Sequence, residues 1–172
     1  YYINRNLPSK YKILSRWQSY HGSSMGVMSV TGFHTRKQGY QPYVFEHGHI
    51  PPAYCYRCWF NRNSTCCNFD CARALENEIL CNGPETVAAF IMEPISGMSL
   101  CGAYPNNGYY KKIREICDKY DVLLIDDEVM AGMGRTGKYY AYQHFGITPD
   151  IIALGKALSG GAFPIGAVAC RD

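Results

Sequence analysis

Three stretches of the chain are continuously apolar, and each has the length of a single β-strand. They are Val87–Met92, Val122–Ile125 and Ile151–Leu154. Unbroken apolar runs of about four to eight residues are typical of strands buried on both faces of a parallel sheet. A further short strand is predicted for Tyr11–Arg16.

Helical spacing of apolar residues occupies the segments between these strands. It predicts helices over Asp70–Leu80, which Asn82-Gly83-Pro84 terminates, and over Tyr109–Tyr120. Their apolar faces consist of Ala72, Leu75 and Ile79 in the first, and Ile113, Ile116, Cys117 and Tyr120 in the second. Ser23–Val30 is predicted as a helix of small residues and Thr31–Ser64 as a long irregular excursion. Alternating strands and helices predict an α/β fold with a mostly parallel sheet flanked by helices.

Composition and charge exclude several classes of protein. The 172 residues are 47% hydrophobic and 18% charged, which indicates a globular chain. A net charge of +3 gives no argument for binding nucleic acid or an acidic membrane. No apolar run approaches the ~18 residues of a membrane span, and the N-terminus shows no signal peptide. With an odd number of cysteines, nine, we expect reduced thiols and a cytoplasmic protein.

Polar, reactive residues follow each predicted strand. They are Tyr20-His21-Gly22, Glu93-Pro94, Asp126-Asp127-Glu128 and Gly155-Lys156, in chain order. The carboxyl ends of parallel strands meet at one edge of the sheet, where ligands bind in such folds. The sequence therefore predicts a site that contains acids and one lysine.

The lysine and the central acid are the candidates for chemistry. Lys156 lies between a buried strand and apolar residues, where partial desolvation would make its amine nucleophilic and suited to a Schiff base. Along an extended segment Asp127 points away from Asp126 and Glu128. Carboxylates this crowded need a cation, a metal or a hydrogen-bond donor. The ring nitrogen of pyridoxal phosphate is one such partner and a divalent metal is another, while a solvated acidic loop without a partner stays an alternative.

Two nucleotide-binding motifs occur in a context that does not suit them. Gly132–Gly137 matches G-x-G-x-x-G, but six residues, three of them acidic, separate it from the preceding strand. The same stretch nearly forms a P-loop, but Tyr139 occupies the position of the required Ser or Thr. We therefore predict that this segment binds no nucleotide.

A cluster of cysteines supports a different class of protein. Cys55-x-x-Cys58 has the spacing of a zinc site, and further cysteines follow at Cys66, Cys67 and Cys71. The later cysteines lack the C-x-x-C spacing, so we predict no metal ligands. A zinc-stabilised interaction module built on Cys55–Cys71 nevertheless stays an alternative to an enzyme.

Taken in order, five motifs resemble those of the class III pyridoxal-phosphate aminotransferases. They are Ser19–Gly22, Ile91–Gly97, Leu123–Val129, Gly134–Gly137 and Pro149–Lys156. The resemblance extends over nearly the whole chain. It implies fold type I of the pyridoxal-phosphate enzymes, with 1–172 as part of the cofactor-binding large domain. The N-terminal phosphate cup and the C-terminal small domain would lie outside this chain, which we therefore expect to be inactive and poorly soluble alone.

The same resemblance assigns roles to individual residues. It implies that Lys156 forms the internal aldimine with pyridoxal 5'-phosphate and shuttles a proton, and that Asp127 pairs with the ring nitrogen. Tyr20 would stack on one ring face, Val129 would pack on the other, and Glu93 would lie nearby. The implied reaction moves an amino group from an amine or amino acid donor to a keto acid, in a homodimeric parent enzyme. Aminomutases and a decarboxylating enzyme share these motifs and stay open as alternatives.

Overall fold

A single six-stranded sheet forms the centre of the molecule. The computed structural model describes residues 1–63 and 67–171. The strands are β1 (Lys12–Arg16), β2 (His49–Ile50), β3 (Val87–Met92), β4 (Leu123–Asp127), β5 (Ile151–Leu154) and β6 (Ala167–Cys170). They lie in the order β2-β1-β3-β4-β5-β6, and every neighbouring pair is parallel except β5 and β6. The predicted mostly parallel sheet is therefore confirmed, whereas β2 and β6 were not predicted.

Within the described residues, four α-helices connect or flank these strands. They are α1 (Met25–Val30), α2 (His34–Lys37), α3 (Asp70–Asn82) and α4 (Tyr109–Lys119). Short 3-10 helices cover Gln41–Tyr43, Cys55–Arg57, Pro84–Thr86, Ala141–His144 and Lys156–Ser159. In the described chain, no helix is long and apolar enough to cross a membrane.

One face of the sheet carries the hydrophobic core. Leu14, Phe90 and Leu124 lie side by side in the register of β1, β3 and β4, and all three are fully buried. The apolar faces of α3 and α4 pack on this row and on each other. Ala72, Leu75 and Ile79 of α3 are buried as predicted, and so are Ile113, Ile116 and Cys117 of α4.

The opposite face is more open than the sequence predicts. Ile91, Ile125 and Ile151 are also aligned in register, but all three are only half-buried. The prediction that these strands are buried on both faces is therefore wrong for the chain as described, because α3 and α4 both pack on the first face.

The predicted irregular excursion is mostly irregular, but its described residues contain four regular elements. They are helix α2, the two-residue strand β2 and the 3-10 helices at Gln41–Tyr43 and Cys55–Arg57. Its last residue, Ser64, lies outside the described residues. At its start, a Cβ on Gly32 would come within 2.0 Å of the Arg16 carbonyl oxygen. Only glycine lets the chain return this close to the end of β1.

Candidate functional site

The polar segments that follow β1, β3, β4 and β5 surround one cavity of about 250 Å³. Its lining includes all five residues that the sequence assigned to the site, Tyr20, Glu93, Asp127, Val129 and Lys156. The parallel strands cause this convergence, because their carboxyl ends meet at the same edge of the sheet.

Lys156 is the second residue after β5 and begins a 3-10 helix. Its φ of 45° lies in the left-handed region, which residues other than Gly, Asn and Asp rarely adopt. Such strain is found preferentially at functional sites. The side chain is exposed rather than partly desolvated, so the sequence-based expectation of desolvation is wrong for this chain. Lys156 makes no hydrogen bond or ion pair with the described residues, which leaves its amine open to the cavity.

Asp127 is the last residue of β4, and its carboxylate is held at both oxygens. Its Oδ1 accepts a hydrogen bond from the Val129 backbone N–H at 3.1 Å. Its Oδ2 lies 2.7 Å from Nδ1 of His21, and both side chains are almost fully buried. No role for His21 was predicted from the sequence. Its partner lies 106 positions away, so no local pattern could reveal the contact.

Glu93 has a structural task at the rim of the cavity. One carboxylate oxygen accepts the Tyr20 backbone N–H at 2.7 Å, and the other accepts the Gly97 N–H at 3.0 Å. Both oxygens are thus engaged in fixing two loops. The loop of Tyr20 is held further by a 2.7 Å hydrogen bond between the Tyr20 and Ser23 hydroxyls.

A second set of ionisable groups lies on the core side of the same edge. Arg16, Asp126 and Glu128 are buried there, separated from Asp127 by the alternation of side chains along β4. Arg16 donates from Nη2 to the Glu93 carbonyl oxygen at 2.5 Å. Glu128 Oε1 accepts the Tyr142 backbone N–H at 2.9 Å. The first contact connects β1 to the residue after β3, and the second connects the residue after β4 to the 3-10 helix at Ala141–His144.

Within this buried set, the pKa values of Asp126 and Glu128 are both raised. Burial raises the pKa of Asp126 well above its usual range, and the neighbouring Glu128 and Asp127 carboxylates raise it further. Burial also raises the pKa of Glu128. Neither Asp126 oxygen has another hydrogen-bond partner among the described residues, and neither does Glu128 Oε2. A proton shared between one Asp126 oxygen and Glu128 Oε2 accounts for two of these three atoms and leaves the second Asp126 oxygen without a partner.

Among the described residues, the other motifs form no competing site. Residues 132–137 of the G-x-G-x-x-G match form turns after β4 instead of opening a helix. Of the cysteine cluster, Cys66 lies outside the described residues. Burial and the neighbouring Cys67, Cys55 and Cys58 raise the pKa of Cys71 to about 12. Within 1–63 and 67–171, no three Cys, His, Asp or Glu side chains are arranged to hold a metal ion.

Comparison with known proteins identifies the family. Residues 1–172 match the aminotransferase class-III family, so the chain belongs to it. An uncharacterised aminotransferase of Schizosaccharomyces pombe is 45% identical over 89% of this chain and 34% of its own. A taurine–pyruvate aminotransferase of Bilophila wadsworthia is 42% identical over 89% and 33%. An (R)-1-hydroxy-2-aminoethylphosphonate ammonia-lyase of Vibrio splendidus is 36% identical over 99% and 38%.

Solved structures give the same result. An omega transaminase from Pseudomonas jessenii, in complex with PMP, has a TM-score of 0.92 and 37% sequence identity. The match covers 99% of this chain and 38% of the transaminase. The fold is therefore that of the class III transaminases, fold type I. The chain spans about a third of the length of the curated relatives it matches.

The cavity suits the cofactor of this family, pyridoxal phosphate. An amine without a partner is available to bond an aldehyde, and a fixed carboxylate is available to hold a ring N–H. The aromatic ring of Tyr20 and the apolar side chain of Val129 provide surfaces for a planar group. The residues present therefore fit the cofactor.

Proposed function

We propose that this protein is an aminotransferase that uses pyridoxal phosphate to move an amino group from an amine or amino acid donor to a keto acid. The observation that carries the proposal is the pairing of two groups in one cavity. The Lys156 amine is free of partners, and the Asp127 carboxylate is fixed by two hydrogen bonds. Membership of the class III family supports the same reaction.

Each lining residue has a separate task in this reaction. When bound, pyridoxal phosphate supplies an aldehyde that condenses with amines, releasing water, and a protonated ring that withdraws electrons. Lys156 holds the cofactor through Nζ, and once displaced by the donor amine it moves a proton from the amine-bearing carbon. Asp127 holds the proton of the ring nitrogen. Tyr20 and Val129 orient the ring, whereas Glu93 keeps the loops of Tyr20 and Gly97 in place.

We also propose that residues 1–172 form part of the cofactor-binding large domain of a longer enzyme. The share of its relatives that the chain spans supports this. The phosphate cup and the small domain would be supplied by other residues of that enzyme, and a second subunit would complete its site as a homodimer. The half-buried row of Ile91, Ile125 and Ile151 offers a face for such additional structure.

The direct test is covalent capture of the cofactor. The full native protein is incubated with pyridoxal phosphate, reduced with borohydride and mapped by mass spectrometry. We expect one pyridoxyl group on Lys156, absent from Lys156→Ala and present in the matched Lys111→Ala control, which removes a lysine remote from the cavity. Labels scattered over several lysines, or none in the wild type, would reject the proposal.

The type of reaction needs its own assay, because one relative is an ammonia-lyase. An aminotransferase converts its bound cofactor to the pyridoxamine form and releases a carbonyl product, with one equivalent of each. Taurine and a simple primary amine are the first donors to try, since two similar proteins are a taurine–pyruvate aminotransferase and an omega transaminase. Free ammonia with no pyridoxamine form would indicate elimination, and carbon dioxide would indicate decarboxylation.

A further inference from the structure

The amino ends of the strands, at the edge of the sheet opposite to the cavity, surround an ammonium group. Lys10 lies two residues before β1, and its Nζ donates to four main-chain carbonyl oxygens. They belong to Pro84 at 3.2 Å, Val87 at 3.0 Å, Tyr120 at 3.1 Å and Asp121 at 2.9 Å. We propose that these four oxygens form a binding site for a monovalent cation. This chain fills the site with its own Lys10 ammonium, and a shortened side chain leaves it to a free potassium or alkylammonium ion.

The carbonyl oxygens outnumber the hydrogens that the ammonium can donate. Lys10 has three N–H donors for four acceptors, so at least two oxygens share one hydrogen. Carbonyl dipoles that converge on one point stabilise the positive charge itself. Rings of carbonyl oxygens replace the hydration shell of potassium in the same way.

The site is partly withdrawn from water. Lys10 is half-buried, and burial lowers the pKa of its ammonium, which the nearby Asp121 carboxylate opposes. Nζ also lies 5.1 Å from the centre of the Tyr2 ring, whose face attracts cations. The Tyr2 hydroxyl donates to the Asp121 carbonyl oxygen at 2.7 Å and so fixes one of the four oxygens. Because a buried charge is costly unless it is hydrogen-bonded, these groups take over the role of the lost hydration.

The backbone before β4 is bent so that two consecutive carbonyl groups face the same point. Asp121 has a φ of 51°, in the left-handed region. The carbonyl groups on either side of its Cα, those of Tyr120 and Asp121, both reach Nζ. The other two oxygens come from the segment that leads into β3. The arrangement of the oxygens is therefore set by the backbone, which Lys10 does not itself contribute.

The distances and charges favour a large ion with a single charge. Contacts of 2.9 to 3.2 Å suit an ammonium nitrogen. Calcium and magnesium need oxygens at about 2.3–2.6 Å and 2.0–2.1 Å, so the spacing is too wide for them. The Asp121 carboxylate is paired with Arg5 at 2.9 Å, and the four oxygens that bind Nζ are all uncharged. A single positive charge therefore suits this site better than a double one.

The cation joins three strands that also supply the cavity. It connects the amino ends of β1, β3 and β4, and the opposite ends of these strands lead to Tyr20, Glu93 and Asp127. The site thus fixes the spacing of the strands from the edge that the cavity does not occupy. Because no cofactor takes part, this inference is independent of the proposed function.

Two neighbouring lysines provide a matched pair of substitutions. Lys10→Ala removes the ammonium and most of its stem, and n-propylammonium supplies the same atoms as a free ion. Lys12→Ala is the control, because Lys12 Nζ donates to a single carbonyl oxygen, that of Asn82, at 3.0 Å. A lone carbonyl oxygen gives a free cation no cage to enter.

The experiment measures local stability by amide hydrogen exchange with mass spectrometry on the full native protein. Peptides that cover residues 84–88 and 120–123 are followed in tetramethylammonium chloride, which has no N–H donor, and after its replacement by potassium or n-propylammonium chloride at equal ionic strength. We expect Lys10→Ala to exchange about tenfold faster in tetramethylammonium, the loss of a charged hydrogen-bonding group. About 100 mM potassium or n-propylammonium should restore most of the protection, whereas wild type and Lys12→Ala should not respond to the ion.

Three results would overturn the proposal. They are unchanged exchange in Lys10→Ala, faster exchange that is the same in all three salts, and an equal response to potassium in Lys12→Ala, which would be a general salt effect. If Lys10→Ala is unfolded in tetramethylammonium, circular dichroism follows it as potassium or n-propylammonium is added. Recovery of the folded signal supports the cation site, and no recovery with either ion rejects it.

Discussion

The alternation of side chains along β4 gives adjacent carboxylates opposite surroundings. Asp127 faces the cavity and is stabilised by hydrogen bonds from His21 and the Val129 N–H. Asp126 faces the core, where neither of its oxygens accepts a hydrogen bond from the described residues. It can take part in a hydrogen bond there only as a donor, when it carries a proton. Both acids lie within β4, so a one-residue shift in its register would exchange these environments.

The protonation of Asp126 predicts an unusual dependence of stability on pH. Its pKa is higher in the folded than in the unfolded protein, so the folded state binds more protons above the ordinary Asp range of about 4. Its contribution is therefore fully present below that range and is lost as the pH rises towards the folded pKa. Asp126→Asn removes the dependence, and we expect it to raise the free energy of unfolding by about 1 kcal/mol near pH 8.

Urea unfolding of wild type and Asp126→Asn across the pH range checks this. The contributions of other titrating groups cancel when the free energy of unfolding of wild type is subtracted from that of Asp126→Asn. This difference in free energy should shrink towards zero as the pH falls to about 4. A difference that stays constant with pH, or Asp126→Asn becoming less stable only at high pH, would contradict a neutral Asp126.

The order of the motifs predicted a set of residues that line one cavity, but it did not predict the contacts that these residues make. Tyr20, Glu93, Asp127, Val129 and Lys156 all line the cavity, because each follows or ends a parallel strand. The partners of these residues are fixed by tertiary structure, which no periodicity encodes. The exposure of Lys156 and the contact between His21 and Asp127 were for that reason out of reach of sequence reasoning.

At the scale of secondary-structure elements, long and strongly patterned segments were the predictable ones. β3 and β5 have the predicted bounds, and α3 begins at the predicted residue. β2 has only two residues and so carries no pattern at all. The four residues of β6 are all exposed, so they lack the alternation that burial on one face would impose. Burial on one face produces the alternation of apolar and polar residues from which elements are predicted. An element without such burial cannot be predicted from this alternation.

Two adjacent residues of α3 allow the contribution of its buried face to the free energy of unfolding to be measured. Ile79 is fully buried in the core and Leu80, the next residue, is 52% exposed. We expect Ile79→Ala to lower the free energy of unfolding by about 2–5 kcal/mol, since it leaves a cavity between α3 and the sheet. Leu80→Ala is the matched control and should change it by less than about 0.5 kcal/mol. Equal effects in thermal or urea unfolding would show that α3 does not pack as described.

At the scale of the whole molecule, the two edges of the sheet differ. β2 is short, whereas β6 presents an exposed apolar strand whose outer edge pairs with no other strand among the described residues. Val168 within it is 72% exposed, and Phe163 and Ile165 just before it are exposed as well. An open apolar edge is a template for pairing with a second chain.

We therefore expect the 172-residue chain, produced alone, to self-associate through β6. Val168→Lys places a charge on that strand and should reduce the associated fraction severalfold in light scattering, as charged edge residues do in natural sheets. Val122→Lys would not serve as a control, since Val122 is buried. Thr136→Lys, in a turn away from β6, is suitable and should leave association unchanged. A monodisperse monomer for the unmodified chain would contradict the prediction.

The spread of the cavity residues over four strand ends also determines when the cavity can exist during folding. β1 must find β3 across a segment in which α1, α2, β2 and α3 intervene, and closing so long a loop costs entropy before any contact compensates for it. Partly folded chains that have joined only β3, β4 and β5 lack Tyr20 and His21 at the cavity. A ligand that needs all four segments binds only chains in which the sheet is completely folded. By mass action, its binding shifts the folding equilibrium towards that state. In the cell, the supply of such a ligand would then govern how much of the protein persists, as well as how much is active.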